Sequence, residues 1–171
     1  MKILTQWGFT REFWRGQHGE YWVLTQGILM LGFILLPTWQ PSKFNLNENQ
    51  VFLYINWSLA AVFATIAAVF LIRGVLELGS SLTPLPYPRE DGQLIQSGVY
   101  GIVRHPIYSG VIFAALSWVL FQWSLSHLIA TVVLILFFNA KANREEVWLT
   151  EKYVDYPDYR INVKKLIPWI Y

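Results

Sequence analysis

None of the 171 residues is cysteine. That excludes disulfides, thiolate zinc sites and cysteine nucleophiles, and says nothing of redox compartment. Histidine is sparse too, and His18, His105 and His127 stand too far apart in the chain to outline a metal site. Charge is scarce: Asp, Glu, Lys and Arg make up 14%, against about a quarter in an ordinary soluble domain. The formal net charge is only +2, and no Lys/Arg cluster resembles a nucleic-acid patch. No cleavable signal peptide is expected, because the first long apolar run begins near Tyr21 without a small-residue cleavage pattern.

What the chain has in abundance is apolar and aromatic side chains, at 54% and 17% of all residues. That balance points to a bilayer as solvent. Two apolar runs, 21–39 and 51–72, are long enough to span, since a spanning helix needs about 20 apolar residues. Two shorter runs, 107–121 and 125–140, are separated by Gln122-Trp123-Ser124 and predict a membrane helical hairpin. The length predicts one domain, residues 1–171, with two N-terminal spans in 1–77 and a second unit in 78–171.

Twelve of the thirteen basic residues fall on one side of this four-span arrangement. Lys2, Arg11 and Arg15 precede the first span, Arg73, Arg89 and Arg104 follow the second, and six more follow the fourth; Lys43 is the exception. The positive-inside rule makes that side cytoplasmic and puts both termini there. Between the second and third spans, "ELGSSLTPLPYPREDGQLIQSGVYGIVRHP" carries Pro84, Pro86 and Pro88, which exclude a regular helix. Its Leu85, Tyr87, Leu94, Ile95 and Tyr100 argue against disorder, so an ordered cytoplasmic cap is expected.

Two stretches invite a chemical reading. In "VRHPIYSG", Pro106 suits the first position of a helix with His105 at its cap. A helix start favours an anion, and Arg104 and His105 reinforce that preference. Tyr100 and Tyr108 offer faces for an organic cation, and Gly110 permits close backbone approach. An ordinary structural role fits the same residues: Arg104 as a membrane-side anchor, Pro106 as a helix starter, Tyr108 as an interfacial aromatic.

In "NREEVWL", the fourth helix continues past its apolar run. Lys141 and Glu145 share one face, while Asn139, Asn143 and Glu146 share another. Adjacent carboxylates just outside a membrane suit an ammonium group or ribose hydroxyls; a solvated helix end with weak Glu–Lys pairs fits equally well. Glu77 and Arg73 are expected to pair at i,i+4, and His127 to sit at headgroup level near the hairpin turn. The tail "EKYVDYPDYRINVKKLIPWIY" has the aromatic and basic content of a segment lying on the membrane surface.

Taken together, "LGSSLTPLPYPREDGQLIQSGVYGIVRHPIYSG" and "REEVWLTEKYVDYPDYRINVKKLIP" resemble the isoprenylcysteine carboxyl methyltransferase family, specifically its short bacterial relatives. The resemblance rests on the Gly-x-Tyr-x-x-x-Arg-His-Pro-x-Tyr-x-Gly run, the hairpin, Glu-Glu and the Tyr-rich tail, and covers the second half of the chain. It implies an integral membrane enzyme that uses S-adenosylmethionine, with 78–171 as the cofactor-binding core. It also implies that Leu94, Ile95, Tyr100 and the stretch Arg104, His105, Pro106, Ile107 and Tyr108 line the cofactor site, with Glu145 as a cofactor-contacting carboxylate. Lys141, with Arg144 as the alternate, occupies the place of a substrate-contacting basic residue. The tail lacks the Phe-Gly of eukaryotic members.

The fold expected is therefore an all-α integral membrane protein of about four transmembrane helices, with an ordered cytoplasmic loop and a C-terminal interfacial segment, in a bacterial inner membrane. The function expected is methyl transfer to a lipophilic acceptor from the bilayer, such as an isoprenoid-linked carboxylate or thiol, with no metal and no nucleic-acid partner. Phospholipid or amine N-methylation is the enzymatic alternative. A membrane subunit that binds a lipid or quinone without catalysis is the alternative of another class.

Overall fold

A computed structural model describes residues 18–40 and 50–171. Among them the architecture is helical: α1 (Glu20–Leu35), α2 (Gln50–Leu78), α3 (Pro106–Gln122), α4 (Leu125–Lys152) and the short α5 (Tyr156–Asn162). The 3-10 turns Gly79–Ser81 and Gly98–Gly101 bracket the proline-rich loop. Among the described residues there is no strand, only an isolated parallel bridge between Val103 and Lys164.

Large apolar side chains lie on the outside as well as in the core, and several charged ones are buried. Ile28, Ile34, Leu76 and Leu136 are each more than 60% exposed, while Glu20, Lys141, His127, Thr131 and Glu146 are buried. Charged residues are almost never fully buried in water-soluble folds unless paired, so an apolar exterior over a core that also holds charged groups fits lipid as the surroundings. Residues Gln50–Ser81 and Leu125–Lys152 form two helices long and apolar enough to cross a membrane. The other two expected spans form the shorter apolar helices α1 and α3, of 16 and 17 residues.

The run 21–39 does not remain helical to its end. Helix α1 stops at Leu35, and Leu36 is extended at φ −65°, ψ 128°. The cause is Pro37, whose ring disfavours helical geometry in the residue before it. Residues 37–40 dock instead on the α3–α4 turn: Leu125 N donates to Trp39 O at 2.9 Å and Ser126 Oγ to Pro37 O at 2.7 Å. Basic residues Lys2, Arg11, Arg15 and Lys43, and most of the loop 42–50, lie outside the described residues.

The hairpin turns at the expected place. Trp123 takes a left-handed conformation (φ 48°) after α3, and Ser124 caps α4 by accepting the His127 N–H. His127 is buried beside this turn. Its Nδ1 lies 2.8 Å from Ser124 Oγ, and its ring sits edge-on to Phe33. The hydroxyl at the cap draws the imidazole inward.

Small residues set the α2–α3 contact. Ala60, Ala67 and Gly74 recur at seven-residue intervals on the buried side of α2. A Cβ added at Gly110 would lie 2.7 Å from Leu71 Cγ, and one at Gly74 would lie 2.9 Å from Ile107 Cγ1. Such seams let membrane helices approach closely enough to gain van der Waals contact where no hydrophobic driving force operates. Ser117 Oγ adds a hydrogen bond to Ala60 O at 2.8 Å.

Candidate functional site

The α3 start, the outer half of α4, the proline-rich loop and the C-terminal segment enclose a cavity of about 330 Å³. The loop forms its roof. Lys152 Nζ donates to the Arg89 and Glu90 carbonyls, Tyr153 OH to Gly92 O at 2.8 Å, and Gln93 N to Ser81 Oγ at 3.0 Å. Leu85 and Pro86 are buried beneath it. At the loop's far end, Glu77 takes its expected pair from Arg73 at 2.8 Å and also accepts Val99 N at 2.8 Å. Gly98, at φ 60°, passes so close that a Cβ there would lie 2.3 Å from Glu77 Oε2. Only glycine meets both demands.

Ten of the eleven residues the sequence proposed line this cavity: Leu94, Ile95, Tyr100, Arg104, His105, Pro106, Ile107, Tyr108, Lys141 and Glu145. Arg144 does not. It is exposed, with its guanidinium 4.4 Å from the Trp148 ring centroid. One helical position is about 100° of rotation, which carries it off the face that Lys141 and Glu145 share.

At the centre stands Tyr108. Its hydroxyl donates to Glu145 Oε2 at 2.6 Å, and its ring stacks on His105 with an interplanar angle of 3°. Lys141 Nζ lies 5.0 Å from the same ring's centroid and donates to Gln26 Oε1 at 2.6 Å, with Pro84 O at 3.4 Å. A carboxylate, a phenol, an imidazole and an ammonium thus meet in one recess, beside apolar walls from Val75, Leu78 and Leu94.

Arg104 differs from the sequence reading, which gave it to an external anion. Its Nε and Nη2 reach Glu146 Oε1 at 2.9 and 2.8 Å, and its Nη1 donates to the Arg160 and Val163 carbonyls. The guanidinium is spent inside the protein. Glu146, which a solvated helix end would expose, is buried and also lies 3.2 Å from His105 Nε2. Both corrections have one cause: the C-terminal segment folds back over this face. Arg104 N donates to Lys164 O at 2.8 Å, His105 N to Lys165 O at 3.1 Å, and Ser109 Oγ to Leu166 O at 2.6 Å.

The tail is therefore a strap on the site as well as a surface segment. Tyr156, Tyr159 and Leu166 are buried, while Ile161, Trp169 and Ile170 point outward. Lys165 Nζ anchors the strap on α4 through Asn139 Oδ1 (3.3 Å) and Asn143 Oδ1 (2.6 Å). Tyr159 OH donates to Tyr100 O at 2.6 Å, and Tyr100 OH to Gly74 O at 3.1 Å. Burial pushes the Tyr100 and Tyr159 phenols above the usual range, so both stay protonated and serve as donors.

Residues 55–155, more than half of the chain, match the phospholipid methyltransferase family. The chain belongs to the phospholipid methyltransferase family. That family includes isoprenylcysteine carboxyl methyltransferase-like proteins, in keeping with the motifs around His105 and Glu145. No curated protein matches the chain. As a phospholipid methyltransferase family member, the protein is a membrane methyltransferase.

Several cavity residues of this family member escaped the sequence reading, among them Gln26, Tyr153, Tyr156 and Tyr159. Gln26, Tyr156 and Tyr159 fall outside the matched region. Each left a trace. Gln26 is a polar residue within an apolar run, a departure that in membranes signals an inward face. The three tyrosines recur every third residue, and of them Tyr156 and Tyr159 share α5.

Proposed function

We propose that this protein transfers a methyl group from S-adenosylmethionine to a lipophilic acceptor, such as an isoprenoid-linked carboxylate or thiol, that enters from the bilayer. The observation that carries the reading is the Tyr108–Glu145 pair beside Lys141, in a recess that shares walls with membrane-facing helices. The donor set fits the cofactor. Glu145 offers carboxylate oxygens to an ammonium or to ribose hydroxyls, the Tyr100 ring suits a sulfonium, and the α3 start favours a carboxylate. When bound, S-adenosylmethionine supplies an electrophilic methyl group.

The chain's own residues then bind, align and exclude water. Positioning is the main requirement of such a transfer. Tyr108 fixes Glu145, Gln26 and the Pro84 carbonyl fix Lys141, and the loop covers the recess. A carboxylate acceptor needs no general base, whereas a thiol or amine needs a proton removed. Lys141 is the basic group positioned to face the acceptor. Transfer to a phospholipid amine is the second reading, and the description of the matched family favours it.

The proposal includes α1 and α3 as spans, four in all, with both termini cytoplasmic in a bacterial inner membrane. The basic-residue asymmetry supports that orientation. The test is to incubate membranes containing the protein with methyl-labelled S-adenosylmethionine and follow label into the organic extract. Label is expected with wild type and nearly lost with Glu145→Gln. Equal label in membranes without the protein overturns the proposal. Mass spectrometry of the labelled species separates the carboxylate, thiol and amine acceptors.

A further inference from the structure

Lys141 is buried and lines the cavity, yet none of its partners among the described residues is an anion. They are Gln26 Oε1 at 2.6 Å, Pro84 O at 3.4 Å and the face of the Tyr108 ring. Glu145, one turn along α4 and spaced for an i,i+4 pair, gives its Oε2 to the Tyr108 hydroxyl instead. An ammonium only donates, so the oxygen of the Gln26 amide faces Lys141 and its NH2 turns away. The partner of that NH2 among the described residues is Met30 Sδ at 3.8 Å, and a thioether is a weak acceptor. An oriented donor with so little to donate to is costly in an apolar helix, and such residues in membranes mark function. Gln26 is half-buried and is the one residue of α1 that lines the cavity. Leu24 and Ile28, two positions to either side, are exposed on the apolar exterior. The amide stands where the cavity meets the bilayer.

We propose that Gln26 is an acceptor-binding residue: its amide NH2 donates to an anionic oxygen on the head of the lipophilic acceptor, beside the ammonium of Lys141. With the amide oxygen committed to Lys141, both groups offer a ligand only N–H donors, and one of them carries a charge without a counter-ion. That pair suits a carboxylate or phosphate oxygen, through charge-assisted hydrogen bonds, and repels a bare ammonium. A carboxylate ending an isoprenoid and the phosphate of a phospholipid head present the same chemistry here. The inference rests on the methyl-transfer reading and names, within it, what recognises the acceptor. It also gives a part in the site to α1, which lies outside the region matched to the family.

The test uses the full-length protein in detergent, as wild type, Gln26→Leu and Gln26→Glu. The measurements are melting temperature, calorimetric affinity for S-adenosylhomocysteine, and equilibrium binding of tritium-labelled farnesoic acid, farnesyl phosphate and farnesylamine, which share one tail and differ in the head. Wild type is expected to bind at least one anionic probe about tenfold or more tightly than the amine, and the tighter of the two names the source of the oxygen. Gln26→Leu loses the donor but leaves Lys141 charged. It is expected to bind that probe about ten- to a hundredfold more weakly, the effect of one hydrogen bond to a charged group. Gln26→Glu keeps an oxygen for Lys141 and replaces the NH2 with a second acceptor. It is expected to melt at or above wild type, to keep its S-adenosylhomocysteine affinity, and to lose the anionic probe at least as far. This variant carries the test where Gln26→Leu fails to fold. The amine bound as tightly as both anionic probes overturns the inference. So does a folded Gln26→Leu that holds the anionic probe as wild type does, which assigns recognition to Lys141 alone. Gln26→Glu with unchanged probe binding makes Gln26 a structural support for Lys141 and overturns it too. Wild type that binds no S-adenosylhomocysteine is a separate failure, that of the cofactor reading, and the probe comparison still decides the role of Gln26.

Discussion

Replacing Glu146 with Gln removes the charge from a buried carboxylate that lies within 3.5 Å of Arg104, His105 and Arg160. Breaking a buried ion pair from one side costs about 3–5 kcal/mol, because the remaining charge stays buried. Glu146→Gln is therefore expected to lower the unfolding free energy by about that much in detergent, as read by denaturant titration. A change below about 0.5 kcal/mol, the size of a surface substitution, would mean that the strap does not depend on Glu146. Glu145→Gln should act differently. Its amide oxygen still accepts the Tyr108 hydroxyl, so the fold persists, while loss of the charge weakens cofactor binding by about ten- to a hundredfold. The two faces were legible in the sequence, since neighbours in a helix diverge by about 100°. Which face is buried was not. That depends on Arg160, Val163 and Lys164, residues that reach Arg104, the partner of Glu146, only through the fold.

At the scale of elements, the α2–α3 seam is the contact most sensitive to side-chain volume. Gly110→Val forces branched methyls toward Leu71, whose backbone nitrogen lies 3.1 Å from the position of a Cβ. Overpacking of this kind costs about 1–3 kcal/mol. Gly27→Val is the control, because nothing lies within 4 Å of a Cβ there. Melting in detergent should fall for the first variant and hold for the second; equal effects would show that helix propensity, not the seam, decides. The start of α3 at Pro106 and the turn at residues 122–124 were readable from local chemistry. The end of α1 was only half readable. Pro37 signalled a break, but docking of residues 37–40 on Ser126 and Leu125 joins segments more than 80 positions apart. The tail's outward Trp169 and Ile170 keep the character of a surface segment, while its inward tyrosines gave no sign in composition of the cavity they close.

For the whole molecule, an apolar exterior makes membrane orientation testable. Reporters fused within residues 81–92 and at the C-terminus should read cytoplasmic, and one within 42–50 external, with the last segment outside the described residues. An external signal from 81–92 would separate the loop roof from the basic side and break the single-site account. That account holds that α3, α4, the loop and the strap enclose one cofactor cavity with the Tyr108–Glu145 pair at its centre. Its most direct test is equilibrium dialysis of labelled S-adenosylmethionine against the purified, folded protein, with Glu145→Gln beside wild type. The account predicts saturable binding to a single site in wild type and an affinity at least about tenfold weaker in the variant. Folded wild type that retains no label, or a variant that binds as tightly as wild type, would contradict it.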